Sequence, residues 1–274
     1  MIAVLLSVAC SGGDDPTTGL PDLESPTSQP TWTISDMEAA LAEALAEGFP
    51  EPWTVRDTYL DFFTHGDEIC PGHDDYIEAT WLYGCTAESG YWFSGVSEYV
   101  TMSGSVDLTT YDAWQVSGDL LFIDLEGQRF EGGGHIFAND KTIDSQPAFD
   151  AQILGTWIWE GHDGWLGGEG TSSVLDVLGR TNDGKAQLIF DGATSWSGFS
   201  LYFEDLVFTS ECDHAVDGNL AIRDPSGAWH WMSYTDCSPC VDVAFGGFDS
   251  EVSGEACLDF TPLINDFMSR LDAP

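Results

Sequence analysis

Two histidines and four carboxylates crowd into one short stretch, His65-Gly66-Asp67-Glu68-Ile69-Cys70-Pro71-Gly72-His73-Asp74-Asp75. Oxygen-rich clusters suit Ca²⁺, and imidazoles among them would suit zinc. The candidate ligands are His65, Asp67, His73, Asp74 and Asp75. A solvated acidic loop has the same look in a chain that is acidic throughout. A metal-assisted hydrolase would need at least one of these histidines and two of the carboxylates to converge in a pocket.

Aromatic chemistry is the second candidate. The chain has 11 tryptophans. Trp157 and Trp159 lie two residues apart, as do Trp229 and Trp231, so each pair points to one face of a strand. Exposed indoles stack on sugar rings, which makes Trp165, Trp196, Trp229 and Trp231 a candidate glycan platform. Such pairs also fill the core of a β-sandwich. Gly, Ser and Asp around Trp165 and Trp196 place those two nearer the surface.

Motifs for several other chemistries are missing. The sequence has no G-x-S-x-G, no H-E-x-x-H, no P-loop and no EF-hand run. No residue is assigned a catalytic role. The 274 residues include 47 acidic and 7 basic side chains, a net charge of −40. Binding nucleic acid needs Lys and Arg to neutralise phosphates, so a nucleic-acid partner is excluded. Anionic membrane surfaces are excluded as direct partners for the same reason. Acidity on this scale fits a saline setting, bound Ca²⁺ or a cationic partner. No other cofactor is called for.

Seven cysteines set the covalent frame. Asp224-Pro225-Ser226-Gly227 is a strong turn, with Pro placed to pre-set φ and Gly at the exit. Across that hairpin Cys212 falls opposite either Cys237 or Cys240. A second hairpin turns around Gly246–Ser250 and sets Cys240 opposite Cys257. We therefore expect Cys212–Cys237 and Cys240–Cys257, with Cys70 and Cys85 paired across their own loop. Cys237-Ser238-Pro239-Cys240 is also a C-x-x-C. A redox dithiol would want a βαβ context, and a zinc site would want a second ligand pair.

Met1 to Cys10 is a short apolar run ending in Ala9 and Cys10. It resembles a bacterial lipoprotein signal peptide with its lipobox. The resemblance covers these ten residues only. It implies that Cys10 is the lipidated N-terminus, which leaves an even six cysteines for pairing. It also implies a lipid-anchored protein of the outer membrane or cell surface, since Ser11 stands where inner-membrane retention usually carries Asp. Residues 11–31 are rich in Pro, Gly, Ser and Thr and read as a tether reaching ~25 Å. The function this implies is a surface-tethered, non-catalytic lipoprotein that binds a ligand or builds the envelope. A secreted hydrolase and a Ca²⁺-stabilised structural domain are the alternatives.

The elements that must position these groups are mostly strands. A helix is expected over Thr33–Gly48, capped by Ser35 with Glu38 and carrying Met37, Leu41, Ala44 and Leu45 on one stripe. From Tyr91 onward short strands alternate with turn signals, among them Ser117-Gly118, Glu126-Gly127 and Asp217-Gly218. Thr261 to Leu271 reads as a closing helix with Pro262 in its first turn. The fold expected for residues 32–274 is one all-β antiparallel domain, a sandwich or meander, with an N-terminal helix and a short C-terminal helix.

Overall fold

A computed structural model describes residues 30–47, 51–70, 79–106, 109–125, 128–160, 171–182, 184–196, 199–245 and 252–271. Among the described residues, twelve antiparallel strands form one sheet in sequential order, which is the meander of the expected all-β fold. They are β1 (Ala79–Thr86), β2 (Trp92–Val106), β3 (Thr109–Leu125), β4 (Gln128–Ile143), β5 (Gln146–Glu160) and β6 (Thr171–Asn182). There follow β7 (Lys185–Trp196), β8 (Phe199–Thr209), β9 (Cys212–Arg223), β10 (Trp229–Tyr234), β11 (Cys240–Phe245) and β12 (Val252–Cys257). The helices are α1 (Ile34–Glu47), α2 (Pro52–Thr64) and α3 (Thr261–Leu271).

Several strands run longer than their sequence signals. Ser117-Gly118 is not a turn. Gly118 faces Gly134 and Leu121 faces Gly132, so β3 continues through a bulge of one extra residue. Asp217-Gly218 likewise lies inside β9, where Gly218 holds φ of 94° against the Asp205 carbonyl. The real turn between β4 and β5 is Asp144-Ser145, both at positive φ. That pair is the mirror-image hairpin turn, here without the glycine that usually announces it.

α2 was not expected. Glu51 caps it through Thr54 N at 2.9 Å, and Pro52 occupies its first turn. Trp53, Val55, Tyr59, Phe62 and Phe63 are buried on it. The α1 cap also sits two residues earlier than the Ser35–Glu38 box. Thr33 Oγ1 accepts from Asp36 N at 3.2 Å, and the Asp36 carboxylate accepts from Thr33 N at 2.8 Å. Glu38 is thereby free for another task.

The helices pack against one face of the sheet, α2 on β4 and β5, α3 on β5 to β7 and β9, α1 along β12. An aromatic core joins them. Trp53 meets Phe149 edge-on at 5.1 Å, Phe62 meets Phe130 at 5.8 Å, and Phe267 meets Phe190 at 5.4 Å. Each such pair adds about 0.5–1.5 kcal/mol to the burial itself. Arg270 ties α3 to α2, bonding Glu51 at 2.7 Å and lying 3.8 Å from the Trp53 ring centroid.

Candidate functional site

A carboxylate that accepts six hydrogen bonds sits in the β9–β10 turn. Gly227 N donates to Asp224 O at 2.9 Å, and Asp224 N donates to Ala228 O at 2.9 Å. Gly227 takes φ of 86°, which closes the turn as a glycine bulge. This backbone aims the Asp224 carboxylate inward, and the residue is 2% exposed. One oxygen, Oδ1, accepts from Ser226 N, Ser226 Oγ and Ala228 N at 2.8, 2.6 and 3.1 Å. The other, Oδ2, accepts from Thr31 N, Thr31 Oγ1 and Trp32 N at 2.7, 3.1 and 3.2 Å.

The consequence is a latch between distant parts of the chain. The carboxylate of a C-terminal hairpin holds Thr31 and Trp32, where the expected tether joins the body. Burial by itself would raise the Asp224 pKa. The bonds from Ser226, Thr31, Trp32 and Ala228 outweigh it and hold the group well below the usual carboxylate range. Beside it, His230 Nε2 lies 3.7 Å from Asp224 Oδ2 and has no hydrogen-bond partner. Burial lowers the His230 pKa against the pull of Asp224, so the ring is neutral near pH 7.

Two disulfides brace this region. Cys212–Cys237 spans the base of the β9–β10 hairpin, and Cys240–Cys257 joins β11 to β12. Cys70–Cys85 joins the end of the α2 loop to β1. The first two are the pairs that the hairpin spacing implies and the third is the one expected across its own loop, so Cys237 and Cys240 form neither a dithiol nor half a zinc site.

The other candidate residues are scattered. Trp229 is fully buried and Trp231 is 7% exposed, so neither is a ligand platform. They pack with Tyr202 and Ala221 on the sheet face away from the main core, and Arg223 lies over Trp229. Alternation explains this: Met232 and Tyr234 take the core side, which turns 229 and 231 the other way. Trp165 and the side chain of Trp196 lie outside the described residues.

In the acidic cluster, Asp67 accepts from the backbone N–H of Ile69, Cys70 and Glu88 at 2.7–2.8 Å. That is the work of a loop brace. His65 stacks on Tyr91, with ring centroids 4.4 Å apart. His73, Asp74 and Asp75 lie outside the described residues, as does Cys10. Among the described residues, no group of three or more His, Cys, Asp or Glu is placed to hold a metal.

Carboxylates do line up on the solvent face of β6 to β8. Asp176 faces Asp191 directly, and Glu204 and Asp205 follow at the next strand. Burial raises the Asp191 pKa. A backbone bond from Asp205 opposes the rise, and the charges of Asp205, Asp176 and Glu204 add to it.

Compared with known proteins, the chain matches no family model, no curated protein and no solved structure. Sequence reasoning treated Asp224 only as the first residue of a turn. Its Asp-Pro-Ser-Gly setting does signal a carboxylate turned back on its own backbone. The partner at Thr31, 193 residues away, has no local signal.

Proposed function

We propose that the chain is a surface-tethered, non-catalytic lipoprotein with a structural role in the cell envelope, anchored by a lipid on Cys10. The observation that carries this reading is the Asp224 latch. Tension on an N-terminal tether would enter the body at Thr31 and pass straight into the β9–β10 turn. There the Asp224 carboxylate is buried and bonded six ways, and the hairpin is bracketed by Cys212–Cys237. A body held by its N-terminus has reason to be strongest there.

Intact-mass analysis of the detergent-extracted protein tests the anchor. A diacylglyceryl-modified Cys10 is expected, with Cys10→Ala releasing the protein from the membrane fraction. An unmodified, freely soluble protein carrying residues 1–10 would overturn the reading.

A second reading, a Ca²⁺-stabilised structural domain, draws on the carboxylate row of Asp176, Asp191, Glu204 and Asp205. Calcium should then raise the melting temperature beyond NaCl of equal ionic strength. An equal rise would mean diffuse screening and no site.

A further inference from the structure

β1 pairs with β2 only as far as Ala79 opposite Ser97. β3 pairs with the other side of β2 to its very end, Val106 opposite Thr109. Among the described residues, nothing pairs with the outer side of β2 from Glu98 to Val106. Such an edge presents free N–H and C=O groups to any second strand.

Protected edges carry lysine, proline or a covering element. The run Tyr99-Val-Thr-Met-Ser-Gly-Ser-Val106 has no charge and no proline. Its apolar side chains are open to solvent: Val100 is 40% exposed, Met102 49% and Val106 64%. All three point to the same face, and Ile143, in register two strands away, is 43% exposed. Tyr111 lies across Gly104 and fills the one gap in this row.

We propose that this edge pairs with the same edge of a second copy, antiparallel, about a two-fold axis at Ser103. Charge selects the occupant. Two chains of net charge −40 repel wherever both present carboxylates. Tyr99 to Val106 is a stretch where neither does, and a cationic strand would find no counter-charge within it. In this register Val100 faces the partner's Val106, Thr101 faces the partner's Ser105 and Met102 faces the partner's Gly104. The apolar row continues across the axis on one face. The symmetric run is Val100 to Val106, and Glu98 falls outside it. A slip of one residue would turn the row to the wrong face.

The assembly closes at two copies. The opposite edge of the sheet, β12, is covered by α1, so among the described residues each chain brings one open end of its sheet. The pairing does not depend on a lipid at Cys10.

Sedimentation velocity on the full chain carrying Cys10→Ser tests it without lipid or stray thiol. A concentration-dependent dimer is expected, tighter as salt rises. Ser103→Cys in that background should oxidise to a single interchain disulfide. In the double variant Val100→Glu, Val106→Glu the new carboxylates face one another, and association should weaken at least ~10-fold. Both positions are exposed, so an unchanged melting temperature certifies the fold. Should the double variant fail to fold, the Ser103→Cys crosslink decides alone. A monomer at every concentration overturns the proposal. So does an open-ended polymer, or a dimer that neither crosslinks at Ser103 nor responds to the double variant.

Discussion

The sheet is finished in opposite ways at its two ends, by β12 at one and by β1 with the overhanging half of β2 at the other. At β12 the Cα atoms of Cys240 and Cys257 are 4.0 Å apart, the spacing of a non-hydrogen-bonded pair. The Cys257 N–H therefore points away from β11. Glu38 of α1 reaches across to accept it at 2.7 Å, and Ile34 lies against Gly254. At β2 the strand continues past the end of β1 with no cover among the described residues. The lesson is that this chain does not protect an edge with charge, although it has charge in excess. It protects one edge with a helix and a directed hydrogen bond, and leaves an uncharged run along the other.

The comparison can be broken hardest at the closed end. Asp224→Ala strands the N–H groups of Thr31, Trp32, Ser226 and Ala228 and should cost at least about 3 kcal/mol. Chemical denaturation would measure it. The sign with pH follows from a depressed pKa. Asp224 stabilises fully above the unfolded carboxylate pKa of ~4 and progressively less as pH falls below it. The Asp224→Ala and wild-type stabilities should therefore converge in acid. A gap that stays constant down to pH 2 would refute the latch.

Next in size, Cys240→Ser with Cys257→Ser should cost about 3 kcal/mol, as for a loop of similar length. Losing Cys70–Cys85 should leave the β9–β12 block protected in hydrogen exchange, and losing Cys240–Cys257 should expose it. Glu38→Ala is smaller, about 1 kcal/mol, because the bond is exposed to solvent. Its sharper readout is faster exchange at the Cys257 amide.

Asp191→Asn should stabilise, by less than about 1 kcal/mol because solvent screens the row. Its folded pKa is raised, so the carboxylate weakens the fold once pH climbs through that value. The gain from Asn should be present at pH 7 and vanish in acid, opposite to Asp224. Val100→Glu alone should leave the melting temperature unmoved, which makes the open end energetically silent within one copy.

Much of this was legible in the sequence. Turn chemistry and facing positions led to Cys212–Cys237 and Cys240–Cys257, because hairpin register is local, and Cys70–Cys85 followed from the short loop they bracket. Strand ends were less legible: the β4–β5 turn is Asp144-Ser145, which lacks glycine, and the bulge at Gly118 imitates a turn. α2 escaped because Thr54, Val55, Thr58, Tyr59, Phe62 and Phe63 have strand-like composition. Only the spacing of Val55, Tyr59 and Phe62, with Glu51 and Pro52 before them, marks a helix. The site was the least legible part. Trp229 and Trp231 gave their pairing but not which face of the sheet would be covered. Asp224, Glu38 and Arg270 act on partners about two hundred residues away.

Those three contacts have a consequence for the order of events. Every strand in the sheet pairs with its neighbour in sequence, so the sheet can zip up strand by strand at little loop-closure expense. The head of the chain cannot join in. Thr31 must wait for Asp224, Glu38 for Cys257 and Glu51 for Arg270. A chain made from its N-terminus could seat α2 once β4 and β5 have formed, but would hold α1 unseated until β12 and α3 are available. Docking of α1 is the natural slow, final phase of folding, and it leaves the apolar stripe of that helix in need of shielding until then.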